Sequence, residues 1–272
     1  MNKRLCVGLL THCDDTSSPE RFEVLKRAVS SLQMLAREDV YIYVWDNNSS
    51  EAVKDFLRSM DFFDALYFSD KNLYDFAAVH KLINEAKKIN AEFVCHLEDD
   101  FLFYRDDFLD HCFRFMEHNI DCGYLRILKY EYGKKEIYDK SLEHPQKDKA
   151  NCQRHFNQVT KEPLRWTHAA SFNGDIFYKN NWHWYNYANI CRRDVFEKII
   201  PNFDHEPLQS LEGYMIGKYH ELNLNVGILD GGAVDHIGLF NQKTSERLRL
   251  VSQNKKLPLI KYDDVLGEIN AL

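Results

Sequence analysis

The feature that most constrains this chain is an alternation in its first half. Short apolar runs are followed, one after another, by segments whose apolar residues recur at helical spacing. That order specifies successive βα units around a largely parallel sheet. Leu5 to Leu10 reads as the first strand. Ser18 is suited to cap, and Pro19 to begin, a helix carrying Phe22, Leu25, Val29 and Leu32. Val40 to Trp45 is a second strand, stopped by the polar cluster Asp46-Asn47-Asn48-Ser49-Ser50, and Val53, Phe56, Leu57 and Met60 predict the helix after it. A third strand, Ala65 to Phe68, precedes a helix marked by Phe76, Val79, Leu82, Ile83 and Ala86. A fourth, Phe93 to Leu97, ends in Glu98-Asp99-Asp100.

Beyond this point a helix is expected from Asp106 to Asn119 and a strand from Gly123 to Lys129. Regularity then fades through Tyr187. Lys, Glu, Asp, Gln and His dominate residues 134 to 161, a long excursion with room for a hairpin and the position of an acceptor lid, not a separate domain. Helical patterning returns at Arg192 to Ile200 and Leu208 to Leu222, and a short strand is expected near Asn225 to Leu229. A chain of 272 residues can bury one sizeable core. We read residues 1–240 as a single domain and 241–272 as a charged C-terminal extension.

A net charge of -7 argues against nucleic acid, which requires a basic stripe to meet phosphates. The seven cysteines are odd in number and form no C-x-x-C pair, so neither a disulfide framework nor a zinc knuckle is indicated, and a reducing cytoplasm is the expected compartment. The opening MNKRLCVGLL is too short in apolar length for a signal peptide, and no stretch approaches the roughly 18 apolar residues of a membrane span.

In open parallel sheets ligands sit at the carboxyl ends of the strands, where loop amides and helix N-termini converge. Thr11, Asp46 to Ser49, Asn72 and Glu98 to Asp100 all occupy such positions. The acidic triplet lies between two apolar runs, at the edge of the core. Three adjacent carboxylates repel one another unless a cation or a specific fold offsets the repulsion. Mg2+ or Mn2+ bound by one or two carboxylates completes its shell with phosphate oxygens and water, which implies a diphosphate ligand.

The strand V-W-D-N-N-S, the helix N-L-Y-D-F-A-A-V-H-K-L-I-N-E-A and then F-V-C-H-L-E-D-D-F resemble, in that order, the GT-A-fold glycosyltransferases, close to family 2, over roughly residues 4 to 110. The resemblance implies a GT-A (Rossmann-like) α/β fold: a mostly parallel sheet flanked by helices, with a smaller acceptor-side region. Residues 1–130 would be the nucleotide-sugar-binding half and 131–240 the acceptor-side half. Glu98-Asp99-Asp100 matches the family's D-x-D element, with Glu98 in place of the first Asp and Asp100 in the metal-ligating position. Asp46 would hold the nucleobase or ribose, with Asn48 in the same loop, Thr11 would lie beneath the nucleotide, and Asn72 would approach the donor.

The resemblance extends to three later segments. Glu212, in Leu208 to Gly217, matches an acidic element in which a carboxylate acts as the base that takes the acceptor proton. His236, in Gly231-Gly232-Ala233-Val234-Asp235-His236-Ile237-Gly238, matches a further metal ligand, with Asp235 as the alternative. Trp182, Trp184 and Tyr185 would line the acceptor pocket, with Arg192 or Arg193 pairing with the diphosphate or Asp194. The expected function is therefore metal-dependent transfer of a sugar from a nucleoside-diphosphate donor, a UDP-sugar by preference, to a glycan or other hydroxyl acceptor, with inversion. Two alternatives stay open: a nucleotidyltransferase acting on sugar phosphates, disfavoured because Thr11-His12-Cys13-Asp14-Asp15 lacks a glycine cluster, and a non-catalytic sugar-binding module, which would need no base at Glu212.

Overall fold

The computed structural model describes residues 3–17, 19–128, 167–180, 188–201 and 211–237, without the side chains of Tyr74 and Glu212. The expected capping residue Ser18, the excursion 134–161, the aromatic trio Trp182, Trp184 and Tyr185, and the extension 241–272 lie outside that set.

The βα alternation is borne out. β1 (Leu5–Thr11), β2 (Val40–Asn47), β3 (Ala65–Ser69) and β4 (Phe93–Glu98) are joined through α1 (Pro19–Ser31), α2 (Glu51–Arg58) and α3 (Tyr74–Lys88). A short 3-10 turn, Leu32–Leu35, prolongs α1. Then follow β5 (Phe101–Phe103), α4 (Leu109–His118), β6 (Cys122–Arg126), the hairpin β7 (Thr167–Phe172) and β8 (Asp175–Asn180), β9 (Asn189–Arg192), α5 (Arg193–Ile199), α6 (Leu211–Glu221), β10 (Asn225–Leu229) and β11 (Val234–His236).

Among the described residues the main sheet has nine strands in the order β3-β2-β1-β4-β9-β6-β10-β8-β7. β1 is parallel to β2 and β4, β2 to β3, and β6 to β10, while β9, β8 and β7 insert antiparallel. Both faces are covered, so the parallel strands read as continuous apolar runs. Leu5, Val7 and Leu9 point into one core with Leu25, Val29 and Val53, while Cys6 and Val94 point into the other with Val79, Leu82 and Phe196. Gly8 is required because a Cβ there would lie 2.6 Å from the Tyr43 hydroxyl, which reaches across it to Ala78 O.

The β7–β8 hairpin lies at the end of the stretch where regularity fades. It closes on Asn173-Gly174, both at positive φ (45° and 95°), the tight turn whose twist suits a hairpin. β5, β9 and β11 were not expected from the sequence. β5 and β11 have three residues each and form a two-stranded ladder, Phe101 opposite His236, with one parallel bridge from Val234 to Leu128. Neither carries enough residues for a period to register.

Candidate functional site

The carboxyl ends of β1, β2, β3 and β4 form one edge. Thr11 lies level with Asp46, Asn47 with Ser69 and Leu10 with Glu98. Along this edge the loops are tied into a single scaffold. Thr11 is fully buried and donates from Oγ1 to Asp46 Oδ2 (2.9 Å), while Asp46 Oδ1 accepts the Ser49 N–H (3.0 Å). Ser49 Oγ in turn accepts the Cys13 N–H (3.0 Å). With no exposed surface, Asp46 and Thr11 shape the β2–α2 loop from beneath. Asn48, exposed and at φ 64°, forms the crest of that loop. Asn47 joins the next loop by donating to Asn72 Oδ1 (2.8 Å) and accepting the Leu73 N–H (2.7 Å).

The acidic triplet divides by environment. Glu98 is half-buried at the strand end, whereas Asp99 turns inward, 2% exposed, with Oδ1 bonded to Arg21 on α1 and Oδ2 accepting the His12 N–H (2.9 Å). Burial pushes the Asp99 carboxyl up and Asp100 adds to that, while Arg21 and the His12 amide pull it back. Asp100 is 5% exposed, and its Oδ1 is buried without a hydrogen-bond partner. Its Oδ2 lies 3.1 Å from His236 Nε2. The strand pairing explains that meeting: His236 stands opposite Phe101, and the Ile237 N–H donates to Asp100 O (2.9 Å). The structure thus brings together Asp100 and His236, residues 136 positions apart by number.

The Arg21–Asp99 pair holds the α1 start against the triplet. Removing one partner of a buried ion pair strands the other. Arg21→Met is expected to destabilise the fold by about 2–4 kcal/mol. Adding Asp99→Asn should restore about half of that. Urea unfolding of both variants tests this, and a double variant no more stable than the single one would show that the pair is not the cause.

No protein-family profile and no curated protein sequence matches the chain. Solved structures do. The mannosyltransferase PcManGT from Pyrobaculum calidifontis, in complex with GDP-Man and Mn2+, aligns with a TM-score of 0.54 at 10% identity, covering 100% of this chain and 70% of that one. S. aureus TarS 1-349 aligns at 0.52 with 13% identity, and its complex with UDP at 0.50 with 15%, each covering 98% of this chain and 70% of the 1-349 chain. The fold is glycosyltransferase-like. At such identities the likeness establishes architecture, and the chemistry must be argued from the side chains.

Within this glycosyltransferase-like fold, the described residues contain no group of three or more His, Cys, Asp or Glu that could hold a metal. They do contain two donors side by side, Asp100 and His236. A cation shared with a diphosphate needs only one or two protein ligands, because phosphate oxygens and water complete its shell. The vacant lone pairs of a buried carboxylate oxygen beside an imidazole nitrogen fit such an ion.

Glu212 falls in the first turn of α6. Near the other end of that helix Tyr219 meets the beginnings of two strands, accepting the Gly123 N–H (3.1 Å) and donating to Asn225 O (2.6 Å). The start of α6 lies about 10 Å along the helix axis from Tyr219.

Arg192 and Arg193 stand apart. Arg192 is level with Phe93, at the beginning of β4, about 16 Å of strand from Glu98. It donates to Cys122 O (3.0 Å), Met116 O and Asn119 O (3.4 Å), satisfying carbonyls at and beyond the end of α4. Arg193 pairs with Asn90 and Glu197. An antiparallel β9, unforeseen in the sequence, is the reason: it carries the arginines to the opposite edge. His12 and Arg21 were missed as parts of the site, and Asn47, within the polar cluster at the end of β2, was given no role of its own. His12 and Asn47 adjoin chosen residues, but nothing local marks Arg21, whose partner is 78 residues away.

The six described cysteines are free and buried. No described helix is long and apolar enough to cross a membrane.

Proposed function

We propose that this chain is a metal-dependent glycosyltransferase that moves a sugar from a nucleoside-diphosphate donor, a UDP-sugar by preference, to a hydroxyl of a glycan acceptor with inversion at the anomeric carbon. One observation carries the reading: the buried, unsatisfied Asp100 Oδ1 beside His236, at the strand ends of a glycosyltransferase-like fold. The ligands of the similar structures, GDP-Man with Mn2+ and UDP, support a nucleoside diphosphate and a divalent cation.

Asp100 and His236 would hold Mn2+ or Mg2+, and the bound cation supplies positive charge to the departing diphosphate. Asn48, Asn72 and Glu98, at the open edge of the loop scaffold, are assigned to the nucleotide sugar. Thr11, Asp46 and Asp99 keep that scaffold in shape. Glu212 takes the acceptor hydroxyl proton as its oxygen bonds to the anomeric carbon. The bond from that carbon to the diphosphate oxygen breaks, and its electron pair leaves with the diphosphate. Trp182, Trp184 and Tyr185 are assigned to the acceptor.

The test is hydrolysis of a panel of UDP-, GDP- and dTDP-sugars with and without Mn2+. Slow, metal-dependent release of one nucleoside diphosphate is expected. If no donor is bound or cleaved under any metal condition, the proposal fails and a sugar-binding module takes its place.

A further inference from the structure

Three large apolar side chains stand exposed among the described residues: Met34, Tyr104 and Ile120. Met34 follows α1, and Ile120 precedes β6, both at the edge where the parallel strands begin. Tyr104 follows β5, four residues after Asp100, and lies against the glycine loop that leads to His236.

Tyr104 is 41% exposed and yet pinned at both ends. The Tyr104 N–H donates to Ala233 O (3.2 Å) and its hydroxyl to Gly231 O, so the ring is strapped to the glycine loop that leads to His236. The next residue is also held. Arg105 makes a two-pronged pair with Asp175 (2.7 and 3.0 Å) and bonds Asp107 (2.6 Å). Strand alternation buries Phe101 and Phe103 on the inner face of the two-stranded sheet and puts Leu102 on the outer face with Tyr104. Asp235, partly exposed, stands opposite Leu102. Its carboxylate is close enough to join burial in pushing the Tyr104 phenol up to about 12, against the pull of Arg105.

A rigid aromatic face with a carboxylate beside it has a specific complement. A pyranose presents an apolar C–H face to an aromatic ring and hydroxyl donors at its rim. A carboxylate accepts such hydroxyls in strong, charge-assisted hydrogen bonds. We infer that Tyr104 and Asp235 form a saccharide subsite on the outer face of the small sheet, which takes one neutral pyranose ring of the acceptor. Four residues of chain, about 13 Å, separate Tyr104 from Asp100, leaving space for a donor sugar between diphosphate and acceptor. The place of this subsite in a transfer rests on the proposed function, but saccharide binding itself does not.

Saturation-transfer NMR with methyl glycosides of glucose, galactose, mannose and N-acetylglucosamine tests the binding directly. At least one glycoside is expected to receive saturation from the wild type. That signal should fall about fivefold in Tyr104→Ala and persist in Tyr104→Phe, which keeps the stacking face. Asp235→Asn, with the ring in place, should also weaken it about fivefold. The subsite is refuted if no glycoside contacts the wild type, or if the contact survives both Tyr104→Ala and Asp235→Asn. Titrations of UDP and GDP with Mn2+ on the wild type report on the donor site separately, so failure there leaves the saccharide result readable.

Discussion

Asp100→Ala is expected to lower metal-dependent donor hydrolysis by at least about a hundredfold, the scale seen when a charge-stabilising group is removed from a reacting centre. The same substitution should not harm the fold. Asp100 Oδ1 makes no hydrogen bond, and Oδ2 meets His236 alone. A buried acceptor left unsatisfied costs about 1–3 kcal/mol, so truncation removes a liability along with a ligand. The thermal midpoint of the variant should therefore equal or exceed that of the wild type, a trade of stability for function that a purely structural carboxylate would reverse. Asp100→Asn, nearly the same shape without the charge, should lose activity to a similar degree. Rates of nucleoside diphosphate release across a Mn2+ titration measure both. Unchanged rate and unchanged metal dependence in Asp100→Ala would remove Asp100 from the metal site.

Lowering the pH from 7.5 to 5.0 is expected to cost the fold about 4 kcal/mol, through two histidines held neutral inside it. His96 on β4 is 1% exposed, and burial pushes its pKa down to about 3. His80 on α3 is 6% exposed and pushed down to about 4, again by burial, with the Pro201 carbonyl pulling weakly the other way. In the unfolded chain both titrate near 6.5. Below that pH the unfolded state binds two protons that the folded state refuses. Their contribution is fully present above about 6.5 and is lost as pH falls toward the folded values, at about 2.7 kcal/mol per pH unit for the pair. Against a typical total of roughly 5–15 kcal/mol, that loss is large. Urea unfolding at the two pH values measures it, and His96→Gln should roughly halve the slope. Equal stability at both pH values would show that neither histidine is excluded from protonation.

The elements legible in the sequence are those whose signal is local. β1 through β4 and their helices each span enough residues for a period of two or 3.6 to register, and polar clusters mark where each strand stops. Candidate positions at those stops, from Thr11 to Asp100, followed from the rule that parallel strands present their ends to ligands. The roles within them were a different matter. Asp46 and Asp99 look as available as Asp100 in the sequence, yet both are engaged with internal partners, Thr11 and Ser49 for one, Arg21 and His12 for the other.

Sequence alone therefore determined the βα order, the ligand edge of the sheet and the short list of polar residues along it, because backbone periodicity and strand-end chemistry are written within a few neighbouring positions. Tertiary structure decided which carboxylate keeps an unsatisfied oxygen, that His236 meets Asp100, that Tyr104 is strapped to the glycine loop, and that Arg192 and Arg193 lie at the far edge. Each depends on pairing between segments distant in the chain, above all β5 with β11 and β9 with β4 and β6. Short strands carry little local signal, and their register is set only when the whole sheet assembles.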